Sequence, residues 1–210
     1  MPKIRFTLIG VAFGIGLATT GCSGTSAVNG TPTAPAPSAP ASTALPSDGA
    51  PAVPKALDPA ALEKDPCSAM TADQVASLGK PQKSTEPEVA DSGGPKCSWD
   101  FATDGPSSVT GAVFTADPSR SGISGLYSQH KVDGLTKFEP FSVDGYPGVV
   151  YDNSTNALPG QCAAAVGIRD DLTYTISVSL YSGTTPFTDG CELGKKVAGF
   201  VIEYLKKGQN

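Results

Sequence analysis

Histidine and tryptophan occur once each in the 210 residues, methionine twice and cysteine five times. One imidazole and a handful of oxidisable thiols leave no ligand set for zinc. A Ser-His-Asp relay would have only His130 as its base. Charge is scarce too, at 17% of residues. The apolar run Phe6 to Ala18 has 13 residues, four of them Gly or Thr, whereas a hydrocarbon core takes about 20 to cross. The charge that is present leans acidic, −5 overall. The first 21 residues carry only Lys3 and Arg5; without them 13 basic residues face 20 acidic ones, a net −7. Such a domain repels phosphate backbones and anionic headgroups, so nucleic acid is not an expected partner and electrostatic docking on a membrane is disfavoured.

The N-terminus reads as an address. Lys3 and Arg5 precede the short apolar run, the pattern of a signal-peptide core over residues 1–21. Thr19-Thr20-Gly21-Cys22-Ser23 then resembles a bacterial lipobox, with Thr19 in place of the usual Leu. In such boxes the Cys receives a diacylglycerol before cleavage ahead of it. Cysteine parity supports this reading independently, because five thiols leave one odd in an oxidising compartment and lipidation of Cys22 leaves four. Acyl chains contribute about 0.8 kcal/mol per buried methylene, so the mature chain is expected on the extracytoplasmic face of the cell membrane, its membrane contact made through Cys22.

Residues 22–57 are Ala, Pro, Ser, Thr and Gly with little else, and no aromatic residue occurs between Phe13 and Trp99. Seven of the 19 prolines fall between Thr31 and Pro54. A segment with so little apolar surface is expected to be a disordered tether of polyproline II character.

The folded domain is expected over residues 58–207. Asp58-Pro59 suits a short helical turn through Lys64. Thr71 and Gln74 form a capping-box pattern, Met70 and Val75 a hydrophobic staple, and Gly79 a stop. Loop composition continues to Lys96. Cys97, Trp99 and Phe101 alternate with polar residues at strand period, and a second strand is expected over Val109–Thr115. Ile123, Leu126 and Tyr127 have helical spacing within Pro118–His130, against which Gly122 and Gly125 count. Asp144-Gly145 marks a hairpin between Phe138–Val143 and Gly148–Tyr151. A second hairpin turns at Asp170-Asp171, with Cys162, Ala164, Val166 and Ile168 facing the same side as Leu172, Tyr174, Ile176, Val178 and Leu180. Cys191, Gly194, Val197, Ala198, Val201 and Leu205 trace one face of a last helix from about Asp189 to Lys206. The expectation is an α+β domain: an antiparallel sheet of about six strands with helices on one face.

Four cysteines allow three pairings. The preferred one joins Cys67 to Cys97 and Cys162 to Cys191, closing two loops of about 30 residues, each worth about 3–4 kcal/mol in the chain-entropy model.

Asp65-Pro66-Cys67-Ser68, Cys97-Ser98-Trp99, Val143-Asp144-Gly145-Tyr146-Pro147-Gly148, the strand Cys162 and Asp189-Gly190-Cys191 occur in this order. The set resembles the actinobacterial envelope lipoproteins bearing domain of unknown function 3558, over nearly all of Asp65 to Lys206. Gly190 stands where that family more usually has Pro. The resemblance implies an envelope location and two disulfides, and it brings no catalytic residues.

Chemistry is sparse. Ser77-Leu78-Gly79-Lys80 and Ser128-Gln129-His130-Lys131 match S-x-x-K, but a strand-borne Lys-Thr-Gly is absent. A G-x-S-x-G elbow is absent as well. Asp152-Asn153-Ser154-Thr155-Asn156 opens like a calcium loop, yet Ala157 and Ala163 occupy the positions that need Gly and Glu. Glu86/Glu88 and Asp170/Asp171 read as solvated carboxylates, and Trp99 as core beside a disulfide. The expectation is therefore no enzyme, no metal and no cofactor. It is instead a non-catalytic, lipid-anchored envelope protein that binds an envelope protein or a cell-wall component. The alternative is a carrier or sensor holding a small apolar ligand between sheet and helix, near Phe138, Tyr151, Tyr174 and Ile176.

Overall fold

A computed structural model describes residues 44–90, 92–117, 119–155, 158, 160–181 and 189–209. Cys22, the signal segment and residues 22–43 of the expected tether lie outside the described residues. Among those described, no helix is long and apolar enough to cross a membrane.

Seven antiparallel strands form one sheet in the order β1-β2-β3-β7-β6-β5-β4. They are β1 Gln82–Glu88, β2 Lys96–Phe101, β3 Ser107–Phe114, β4 Lys137–Val143, β5 Tyr146–Asp152, β6 Gln161–Arg169 and β7 Leu172–Ser179. Two meanders, β1–β3 and β4–β7, meet where β3 pairs with β7 (Val109 opposite Val178, Val113 opposite Tyr174). The helical elements are α1 Ala60–Lys64, a 3-10 turn Pro66–Ala69, α2 Ala72–Ala76, α3 Ser124–Lys131 and α4 Gly190–Lys207. The α+β class and the antiparallel sheet are as the residue pattern implied.

The strongest local signals became elements. In α2 the capping box is complete: Thr71 Oγ1 accepts from the Gln74 amide at 3.2 Å, and Gln74 Oε1 accepts from the Thr71 amide at 2.8 Å. Met70 and Val75 are buried on either side of it. Asp144 and Gly145 take positive φ, 52° and 84°, in the two-residue turn that pairs Val143 with Tyr146. The carboxylate of Asp189 caps α4, accepting from the amides of Cys191 and Glu192. The disulfides are Cys67–Cys97 and Cys162–Cys191. The first ties the 3-10 turn to β2, the second ties the start of α4 to β6.

The core lies on one face of the sheet. Trp99, Val109, Val113, Tyr174, Ile176 and Val178 project from the strands against Val197, Ala198, Val201, Ile202 and Leu205 of α4 and against Leu57, Leu62 and Val75. Burial of this kind contributes about 25 cal/mol per Å² of apolar surface and is the main source of stability.

Four features differ from the sequence expectation. The seventh strand, β1, falls in the stretch read as loop; it is an exposed edge strand containing Pro87, so no apolar alternation marks it. Helix α3 starts later than Pro118, after Gly122 at φ 55°. It covers the reverse face, where Ile123 packs with Ala50, Val149 and Ala165. The tether does not extend to Leu57: residues from Ala44 onward lie on the body. Ala50 and Leu57 are buried, and the amides of Ser47, Val53 and Leu57 donate to Ser124 Oγ, Asp170 Oδ1 and the Ile168 carbonyl. Those three tertiary hydrogen bonds order a Pro-rich stretch that has no secondary structure of its own.

Candidate functional site

Antiparallel strands alternate, so the residues opposite the core form a second surface. On β3 these are Thr110 and Ala112, on β7 Thr173, Thr175 and Ser177, and on β6 Ala163 and Ala165. None of these is larger than threonine; Phe114, which ends β3 on the same side, is the large side chain that these strands bring to the groove. Helix α3 and the 44–53 segment cover this face only in part, and the remainder is a groove of about 1180 Å³. Its floor is those three strands, and Tyr151 of β5 also lines it. Its wall is the loop Asp117, Ser119–Gly122 and the exposed side of α3, with Leu45, Ser47 and Asp48 completing the rim. The volume exceeds the about 300–1,000 Å³ typical of small-molecule pockets.

The wall is held rigidly. Asp117 Oδ2 accepts from the amide and the hydroxyl of Ser121, both at 2.7 Å, and Oδ1 accepts from the amide of Ser119 at 2.9 Å and its hydroxyl at 2.5 Å. Burial works to raise the Asp117 pKa; these hydrogen bonds outweigh it and bring the carboxyl from 3.8 to about 2. Asp171, at the β6–β7 turn, accepts from Arg120 at 2.7 Å and from Arg169 at 2.8 Å, fastening the wall to the sheet. Burial again works to raise the carboxyl's pKa, and the two guanidinium groups override it, so the net displacement is downward. Asp48 pairs with Lys131 of α3 at 3.1 Å.

The Asp117 clasp gives a pH prediction. The folded pKa lies below the ordinary carboxylate value, so the unfolded chain binds more protons between the two. Its stabilisation is therefore complete above about pH 4 and is lost as pH falls towards 2. In Asp117→Asn the acid limb of stability over that interval should be shallower than in the native chain, as read from urea midpoints at successive pH values. Equal slopes would show that the clasp does not hold the wall.

The ligand-pocket residues expected from sequence divide. Tyr151 lines the groove. Ile176 borders it from below, but its side chain belongs to the core on the other face. Tyr174 points into that core and Phe138 does not line the groove, so neither serves as expected. Phe138 instead stacks on His130 (centroids 4.1 Å apart, 3° between planes) and meets Tyr127 edge-on at 5.0 Å. His130 is exposed, and its imidazole makes no hydrogen bond among the described residues. Ser77 donates to the Gln74 carbonyl at the end of α2. Asp152 Oδ1 accepts from the Ser154 amide, while Asn156 and Ala157 of the calcium-like stretch lie outside the described residues. No cluster of three or more His, Cys, Asp or Glu suited to a metal occurs among the described residues. Asp170 receives the Val53 amide, Glu88 pairs with Lys96, and Trp99 is core, 1% exposed, on the same side of β2 as Cys97.

Fold and groove together define a disulfide-braced α+β domain with one face packed and the other partly open. Over residues 17–204 the chain matches the family described as protein of unknown function (DUF3558), and it belongs to that family. No curated protein and no solved structure matches it. The groove left no mark in the residue pattern, because its floor is written in Thr, Ser and Ala, which read as an ordinary solvent face.

Proposed function

We propose that this protein is a non-catalytic binding protein of the cell envelope, of the actinobacterial lipoprotein type, that receives an envelope component in the groove on the reverse face of its sheet. Cys22 carries the acyl anchor after removal of residues 1–21, and the Ala/Pro-rich segment 22–43 lets the domain stand off the extracytoplasmic face of the membrane. The observation that carries the reading is the groove of about 1180 Å³ over three central strands, walled by residues fixed through Asp117 and Asp171. An antiparallel sheet commonly leaves one face to solvent; here that face is made mostly of small, uncharged residues and is recessed behind a wall. That shape suits a bound partner group better than it suits bulk solvent. The small-molecule alternative stays with the same groove, since a carrier would use the same floor.

The test is recovery of the full-length protein from native membranes with its ligand. Mass spectrometry should find an acylated N-terminal Cys22, and extraction should release a compound whose retention is lost in Ser177→Trp, which fills the floor. An unacylated N-terminus would refute the anchor. A compound retained equally by Ser177→Trp would refute the groove as its site.

A further inference from the structure

Given the binding role proposed for the groove, on which the assignment of a ligand class rests, the lining narrows the chemistry of the occupant. Its charged groups are already engaged within the chain: Asp48 by Lys131, Arg120 and Asp171 by each other, and Asp117 by Ser119 and Ser121. Asp117 keeps its negative charge, but four neutral donors fill its acceptor positions, and the other charges are paired. An anionic group therefore finds no free cation there, and a cationic group no open carboxylate oxygen, to offset its desolvation. The hydroxyls divide differently. Thr110 is bonded to Ser98, and Ser124 accepts from the Ser47 amide. The side chains of Tyr151, Thr173, Ser177, Ser128 and Gln129 make no hydrogen bond among the described residues, yet all of them line the groove.

An acyl chain laid on this floor would strip water from those polar groups and return no hydrogen bond in exchange. A ligand with its own hydroxyls would exchange water for matched hydrogen bonds and cover the methyls of Ala112 and Ala163 with its C–H faces. Phe114, 39% exposed, borders the same groove and offers an aromatic edge.

We infer that the groove binds a neutral oligosaccharide. Length follows from volume: the space is larger than a pocket for one small molecule, so a chain of sugar units fits it better than a monosaccharide. Of the aromatic side chains an apolar ligand was expected to use, Phe138 and Tyr174 are engaged elsewhere, and Tyr151, which does line the groove, brings a hydroxyl with it.

The experiment titrates the isotope-labelled protein with maltotriose, chitotriose and mannotriose, and separately with laurate, following backbone amides by NMR. At least one trisaccharide should give saturable shifts centred on residues 110–112, 163–165 and 173–177. Thr173→Val with Ser177→Ala, which keeps the shape and removes two hydroxyls, should weaken that binding at least tenfold; Ser177→Trp should abolish it. Co-sedimentation with insoluble wall glycan, competed by the same trisaccharide, distinguishes a polymeric source from a free sugar. Shifts at the floor from laurate and from none of the sugars would overturn the saccharide assignment and leave the groove as a binding site. Silence from all four probes would also overturn the saccharide assignment. The groove itself fails only if the membrane-derived compound is indifferent to Ser177→Trp.

Discussion

Replacing Cys67 and Cys97 together by alanine should lower stability by about 3–4 kcal/mol, since their bond closes a 30-residue separation and the loop-entropy term for that length is about 3.6 kcal/mol. With a urea slope of about 2 kcal/mol per M, the unfolding midpoint should fall by roughly 1.5–2 M. Position adds to the entropic argument. Cys97 is completely buried in β2, facing the core two residues from Trp99, whereas Cys67 sits in the short 3-10 turn. That turn and the five-residue helices α1 and α2 are too short to be stable alone, and they cover the β1–β2 end of the core. Cutting the bond should therefore free a local unit as well as loosen the whole. Hydrogen exchange in residues 60–78 should accelerate more than in α4. The Cys162–Cys191 bond spans 29 residues and should carry a similar entropic term, but α4 retains its long apolar face against β6 and β7. A loss below 1 kcal/mol for Cys67/Cys97 would mean that the unfolded chain is already restrained by other means.

The elements that were legible are those whose own residues carry a complete local argument. The β6–β7 hairpin shows alternation on both strands, α4 has one unbroken apolar face and an Asp cap, and α2 has reciprocal caps at Thr71 and Gln74. The elements that were not legible depend on partners distant in sequence. β1 exists because β2 supplies its hydrogen bonds: Thr85 lies opposite Trp99 and Pro87 opposite Cys97, yet nearly every β1 residue is exposed. Residues 44–57 have the composition of a disordered chain, and their order comes from contacts with Ser124, Asp170 and Ile168. The groove is the same case on a larger scale. Thr173, Thr175 and Ser177 alternate with buried apolar residues as any half-buried strand would, and only the offset of α3 towards β5 decides that their face is recessed instead of open. A sequence shows which side of a strand is polar. It does not show what stands over that side.

Gly111→Ala should destabilise the domain by up to about 3 kcal/mol although it adds a single methyl group. Gly111 lies in β3 opposite Ile176, and the ring of Tyr174 from the adjoining strand lies over the space where a side chain would be. A β-carbon there would stand 2.1 Å from the Tyr174 hydroxyl oxygen and 2.8 Å from two ring carbons. The ring is 1% exposed and packed in the core, so it has no open direction in which to yield. Tyr174 brings its own cost. Its hydroxyl is buried without a hydrogen-bond partner among the described residues, and burial pushes its pKa up. Tyr174→Phe removes that oxygen and keeps the ring, and it should raise stability by about 1 kcal/mol, the lower end of the penalty for an unsatisfied buried hydroxyl. The two changes should not add. In Tyr174→Phe the closest clash has gone while the ring carbons remain, so the alanine should cost measurably less there than in the native background. Urea midpoints of the four proteins in this cycle decide the matter. A stability loss in Tyr174→Phe would show that the hydroxyl has a partner in solution, and full additivity would show that the ring moves aside.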